Sequence, residues 1–127
     1  MSDHLKLTIQ SYTLAICRLD PAADLPAWIV GSRFCAITRT DEELSVVCDQ
    51  ALVPAASACQ RDWRCLKVAG PLDFALTGIL ARLAAPLADA GIPVFAISTY
   101  DTDYLLVKAD QLAAAVAALR AAGCTVR

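Results

Sequence analysis

Histidine is almost missing from this chain: His4 is the only one in 127 residues. No imidazole therefore stands ready as a general base or as half of a ligand pair in the body of the sequence. The six cysteines, Cys17, Cys35, Cys48, Cys59, Cys65 and Cys124, include no CxxC pair. A zinc site with the usual ligand spacing is excluded, and no metal or other cofactor is expected. Basic clusters are absent too. Eleven Lys and Arg stand against 13 Asp and Glu, for a net charge of −2. Nucleic-acid binding needs a positive face to neutralise phosphates, and three Phe and three Tyr are few for base stacking on a sheet. No apolar run reaches the ~18 residues of a membrane span; Arg82, Pro86 and Asp89 break the longest candidates. Met1-Ser2-Asp3-His4 has neither a positive nor an apolar signal region, so a cytoplasmic location is expected. In that setting the cysteines are expected to be reduced, behaving as small hydrophobes in apolar strands.

What is present is apolar and patterned. The hydrophobic fraction is 57%, above the roughly 45–50% of ordinary soluble domains, and much of the excess is alanine. The length suits one compact domain or two very small ones. Leu5–Gln10 alternates with period two and reads as a strand; Tyr12–Leu19 alternates again, with Tyr12, Leu14 and Ile16 on one face. The break at Gln10-Ser11 reads as a tight hairpin or a bulge. Asp20-Pro21 suits the start of a short helix, Asp as cap and Pro at the first position, with Trp28 packed on the sheet. Phe34–Thr38 and Leu44–Cys48 form a strand pair. Gln50–Gln60 holds at most a short helix because of Pro54. Trp63–Ala69 is a strand ended by Gly70-Pro71.

Leu72–Ala90 reads as a long helix, with Leu72, Leu76, Ile79, Leu80, Leu83 and Leu87 on one side, a kink at Pro86 and Gly91 after its end. Ile92–Ser98 and Tyr104–Lys108 are two strands around a polar elbow, Thr99-Tyr100-Asp101-Thr102-Asp103. Such a tip either only makes the turn or binds something. Asp110 is placed to cap a last helix carrying Leu112, Val116 and Leu119, which Gly123 ends before a short strand at Cys124–Val126. The second half is thus βαββαβ, a ferredoxin-like order, in which Pro93 falls on an edge strand, where proline is tolerated. A shift of 60 residues aligns the elbows, Ala36 on Ala96, Ile37 on Ile97, Asp41 on Asp101 and Val47 on Val107. The expected fold class is α+β: two tandem ferredoxin-like units with antiparallel sheets and helices on one face, the first unit reduced, divided as 1–62 and 63–127.

The segment Gly91–Val107, GIPVFAISTYDTDYLLV, with the Phe34–Asp49 strand pair and the Trp63–Gly70 strand, resembles the ACT domain. More narrowly, the chain resembles small tandem-ACT bacterial proteins related to the cytosolic arginine sensors of animal cells. The resemblance implies a non-enzymatic regulatory domain that binds a small molecule, usually an amino acid, often at an interface between ACT units; a protein partner is expected, and the high apolar fraction points to a homodimer. Carried over, the ligand loop is Val68, Ala69, Gly70, Pro71, Leu72 and Asp73, and the facing hairpin supplies Ser98, Thr99, Tyr100 and Asp103. Gly70 permits close backbone approach, the helix start at Leu72 suits a carboxylate, and Asp103 or Asp73 suits an ammonium. Leu76 stands about where an acidic residue is expected in the arginine-sensing relatives, which points to a smaller or more apolar amino acid, or to no ligand.

Two other readings compete. One is a structural or interaction module that dimerises through its sheet edge and helices without a ligand. The other is an enzyme using the carboxylate pairs Asp101/Asp103 or Asp41/Glu43, which share a face if extended. Solvated turn residues account for these pairs more simply, and no nucleophile motif accompanies them.

Overall fold

The computed structural model of the chain describes residues 4–70 and 77–127. Its strands are β1 (Lys6–Leu19), β2 (Cys35–Arg39), β3 (Leu44–Asp49), β4 (Cys59–Val68), β5 (Phe95–Ser98), β6 (Asp103–Lys108) and β7 (Thr125–Val126). Its helices are α1 (Ile79–Asp89) and α2 (Leu112–Ala121). This is an α+β chain. The pairs β1–β3, β2–β3 and β5–β6 are antiparallel, and β7 runs parallel to β1. Two compact units form, one from Met1–Ser11 with Arg64–Arg127, the other from Tyr12–Trp63.

The expected break at Gln10-Ser11 does not occur: β1 is a single strand of 14 residues. The dipeptide holds no Gly, Pro, Asn or Asp to reverse the chain, so the backbone stays extended. Both faces of β1 carry buried residues. Leu14 is fully buried while Tyr12 and Ile16, on the same face, are half-buried, and on the other face Leu7, Ala15 and Cys17 enter the cores.

In the first unit the strand order is β5-β6-β4-β1-β7. The start of β1 therefore lies between β4 and β7, which a free-standing βαββαβ fold would pair directly. Ala69 N–H donates to the Lys6 carbonyl at 2.8 Å on one side; Arg127 N–H donates to the Leu7 carbonyl at 3.0 Å on the other. β5 ends the order, as expected, but it begins at Phe95, so Pro93 lies ahead of the strand and not in its ladder. Helix α1 runs from Ile79; the start that the leucine spacing predicts at Leu72 falls on residues 71–76, outside the described part. Gly78 has φ +77°, a conformation with little cost for glycine and none of the helix geometry. Leu83 and Leu87 of α1 are fully buried, each stabilising by roughly 1.5–3 kcal/mol, whereas Leu80 faces outward. Pro86 sits inside α1 as expected and donates no bond back to residue 82. Past the helix end, Gly91 adopts φ +73°. Its N–H meets the Ala88 carbonyl at 3.0 Å and Ile92 N–H meets Leu87 at 2.9 Å, the paired bonds of a Schellman cap. Gly123 and Cys124 repeat this after α2, through Arg120 and Leu119. Asp110 does not cap α2; it sits within a 3-10 turn, Ala109–Gln111, that leads into it. α2 packs through Ala115, Val116 and Leu119.

The Tyr12–Trp63 unit has no α-helix among the described residues. The helix expected after Asp20-Pro21 is a turn, in which Ala22 N–H donates to Asp20 Oδ1 at 2.8 Å, followed by a 3-10 turn at Ala27–Ile29. Trp28 is half-buried against a core of Ala15, Cys17, Leu44, Val46, Cys48 and Val53. The β2–β3 hairpin is as the sequence predicts. β4 begins at Cys59, four residues before the expected Trp63.

Two expectations are corrected in this unit. Cys17 and Cys59 form a disulfide, with Cα atoms 4.1 Å apart and 42 residues between them in sequence; the other four cysteines carry thiols. The thiol-only expectation rested on the missing secretory signal, which says nothing about strand neighbours. The internal correspondence also runs at 59 residues, not 60: β3 Leu44–Asp49 matches β6 Asp103–Lys108, and the 3-10 turn Gln50–Leu52 matches Ala109–Gln111. One residue of slip exchanges the two faces of a strand. The offset of 59 carries buried Val46, Val47 and Cys48 onto buried Leu105, Leu106 and Val107.

Candidate functional site

The elbow between β5 and β6 is a two-residue hairpin turn. Thr99 N–H donates to the Thr102 carbonyl at 2.8 Å, and the Thr99 hydroxyl bridges the same turn. It donates to the Thr102 carbonyl at 3.0 Å and accepts the Thr102 N–H at 3.3 Å. Serine and threonine hydroxyls stabilise turns in this way. Tyr100 and Asp101 form the tip, and Tyr100 is 82% exposed. Ser98 and Asp103 are opposed across the hairpin, and the Ser98 hydroxyl donates to Asp103 Oδ1 at 2.6 Å. A charge-assisted bond of this length holds the carboxylate in one orientation.

Thr102 is the buried polar residue of the described structure, 3% exposed. Its hydroxyl donates to the Val68 carbonyl at 2.7 Å. Val68 is the last residue of β4, and Ala69 and Gly70 follow it as exposed loop. This one bond fastens the elbow to the start of the loop. Val68, Ala69 and Gly70 thus lie beside the turn that carries Ser98, Thr99, Tyr100 and Asp103. Pro71, Leu72 and Asp73 lie outside the described residues. The helix start expected at Leu72 to meet a carboxylate lies outside the described residues as well; α1 runs from Ile79.

Thr102 was absent from the sequence-derived set. Alternation along β6 marks Leu105 and Val107 as inward residues, and nothing local singles out a turn threonine as buried. Asp101 is exposed, and Asp103 is engaged by Ser98, so the pair is not poised as an acid–base dyad. Among the described residues no group of three His, Cys, Asp or Glu could hold a metal ion, and no helix is long and apolar enough to cross a membrane. A groove of about 440 Å³ is lined by Ile16, Cys17, Arg18, Ala58, Cys59 and Gln60, none of them among the elbow and loop residues.

The family model of the ACT domain matches residues 58–121, and a second model, of an N-terminal domain, matches residues 11–56. The human cytosolic arginine sensor for mTORC1 subunit 1 is 39% identical over 59 residues, 46% of this chain and 18% of the sensor. The chain thus spans under a fifth of that relative's length. An Agrobacterium tumefaciens protein of known crystal structure is 37% identical, with a TM-score of 0.92, over 99% of this chain and 94% of its own. The ligand-free regulatory subunit of aspartate kinase from Thermus thermophilus shares the fold, with a TM-score of 0.60 at 12% identity over 91% of this chain and 95% of its own.

Proposed function

The chain belongs to the ACT-domain family, and we propose that it is a non-enzymatic regulatory protein that binds an amino acid at the interface with another ACT unit. The observation that carries this reading is the Thr102–Val68 hydrogen bond. It sets the oriented carboxylate of Asp103 and the hydroxyls of Ser98 and Thr99 beside the Ala69–Gly70 loop. In this arrangement Asp103 receives the ligand ammonium, Tyr100 covers it, and Gly70, without a side chain, admits its backbone. Pro71, Leu72 and Asp73, outside the described residues, belong to the proposed ligand-binding set. The matched relatives carry regulatory descriptions, an arginine sensor and a kinase regulatory subunit, which supports a regulatory and not a catalytic role. We read the chain as two tandem ferredoxin-like ACT units, divided near 62/63 with the first reduced and the start of β1 grouped with the second, acting in the cytoplasm as a homodimer that signals to a protein partner.

Thermal unfolding against each of the twenty amino acids at about 10 mM tests this. A ligand at roughly 100 times its dissociation constant stabilises by about 2.7 kcal/mol, which raises Tm by on the order of 5–10 °C for a chain of this size. One amino acid should give the shift, and Asp103→Ala and Tyr100→Ala should abolish it. No shift with any of the twenty refutes amino-acid binding. It would favour the second reading, a ligand-free module that self-associates through the outer strand β2, whose Ile37 is 41% exposed. Light scattering of the protein at high concentration then decides whether it dimerises.

A further inference from the structure

We propose that Cys35 and Cys48 form a thiol–disulfide exchange site, at which surface-exposed Cys35 reacts with a low-molecular-weight disulfide and buried Cys48 resolves the product into a second cross-strand disulfide. The two residues are direct partners in the β2–β3 register. Thr40 N–H bonds the Glu43 carbonyl at 2.9 Å where the hairpin closes, so Thr40 and Glu43 are a hydrogen-bonded pair. Hydrogen-bonded and non-hydrogen-bonded pairs alternate along an antiparallel ladder. Counting outward from the turn, Cys35 and Cys48 fall on a non-hydrogen-bonded position, where opposed Cα atoms approach to about 4.5 Å and side chains are closest. That spacing lies within the range a disulfide spans. Ser98 and Asp103, one step from their own closing pair, occupy the same kind of position, and their side chains touch at 2.6 Å. The unit already holds one disulfide, Cys17–Cys59. Cys48 faces Ala15 across β1 and shares the core with Cys17, so both cysteine pairs lie on one face.

Exposure sets the order of events. Cys48 is fully buried and Cys35 is exposed, so only Cys35 meets a reagent from solution. With glutathione disulfide, the Cys35 thiolate attacks one sulfur, forming a mixed disulfide and releasing one glutathione. The Cys48 thiolate then attacks the Cys35 sulfur, forming Cys35–Cys48 and releasing the second glutathione. Two protons leave the cysteines and two electrons pass to the glutathione disulfide, which ends as two thiols. The product ties the outer strand β2 to β3.

The test uses the whole protein with Cys17–Cys59 intact, incubated with glutathione disulfide, then examined by thiol titration after denaturation and by non-reducing peptide mapping. The Cys35 and Cys48 thiols should both disappear, cross-linked to each other with no glutathione retained on either, whatever half-buried Cys124 does. Cys48→Ala should stop at a stable glutathione adduct on Cys35. Cys35→Ala, a change at an exposed position, should leave Cys48 as a thiol. The proposal is overturned if the wild type keeps the Cys35 and Cys48 thiols, if it retains the same Cys35 adduct as Cys48→Ala, or if the new cross-link joins other cysteines.

Discussion

Replacing Thr102 tests how firmly the elbow is held to the loop. Valine matches threonine in shape and in branching at Cβ, so Thr102→Val removes the hydroxyl and little else. The Val68 carbonyl loses a 2.7 Å bond at a position where the donor is 3% exposed. Leaving a buried group without its partner costs roughly 1–3 kcal/mol. With an unfolding entropy of about 2.1 cal/mol/K per residue over 127 residues, that is a fall in Tm of about 4–11 °C. Thr102→Ser keeps the donor and loses only a methyl group, at a cost of about 1 kcal/mol. The expected order in calorimetry is wild type, then serine, then valine. If hydrophobic contact alone held Thr102, valine would equal or exceed the wild type, and a Thr102→Val protein melting at or above Thr102→Ser would refute the reasoning. The same pair separates function from stability: when an amino-acid ligand is in hand, its affinity should be retained in the serine variant and weakened in the valine variant.

Removing the Cys17–Cys59 disulfide through Cys17→Ser should destabilise by about 4 kcal/mol, from the chain entropy returned to an unfolded loop with its ends 42 residues apart; urea unfolding with and without reductant checks this, and identical midpoints would contradict it. Burial, reinforced by Cys35 and then Asp49, raises the Cys48 thiol from 9.0 to about 11. An acid whose folded pKa lies above its unfolded value contributes stability below the unfolded value and loses it as pH rises through the folded one. Unfolding free energy should therefore decline between about pH 9 and 11, and Cys48→Ala should flatten that decline; an equal slope in both proteins would count against it.

Much of the hairpin architecture was legible because its causes are local. The Phe34–Asp49 and Ile92–Lys108 segments show strand composition on both sides of short polar turns, and both form hairpins. Gly91 and Gly123 mark helix ends because their φ values are ones that other residues avoid. The 3.6-residue spacing of Leu112, Val116 and Leu119 placed the buried side of α2. The elbow was recognisable as a candidate site from its density of hydroxyls and carboxylates.

Period-two alternation reveals that a strand has two faces, but not where it ends or what lies beside it. Only the tertiary structure joined Leu5–Gln10 to Tyr12–Leu19 as one strand, inserted its start between β4 and β7, and opposed Cys17 to Cys59. Only there does the internal offset become 59, since the burial of Val46–Cys48 and Leu105–Val107 distinguishes registers that apolar composition scores alike. Thr102 belongs to the same class. Its burial depends on the Val68 carbonyl 34 residues away, a contact with no local trace. The sequence by itself determined the hairpin turns, the glycine helix ends and the polar elbow, because these follow from the backbone preferences of a few adjacent residues. Strand order, register and the bond that holds the elbow to the loop were decided by pairing between distant segments, where the free energy depends on the partner and not on the segment alone.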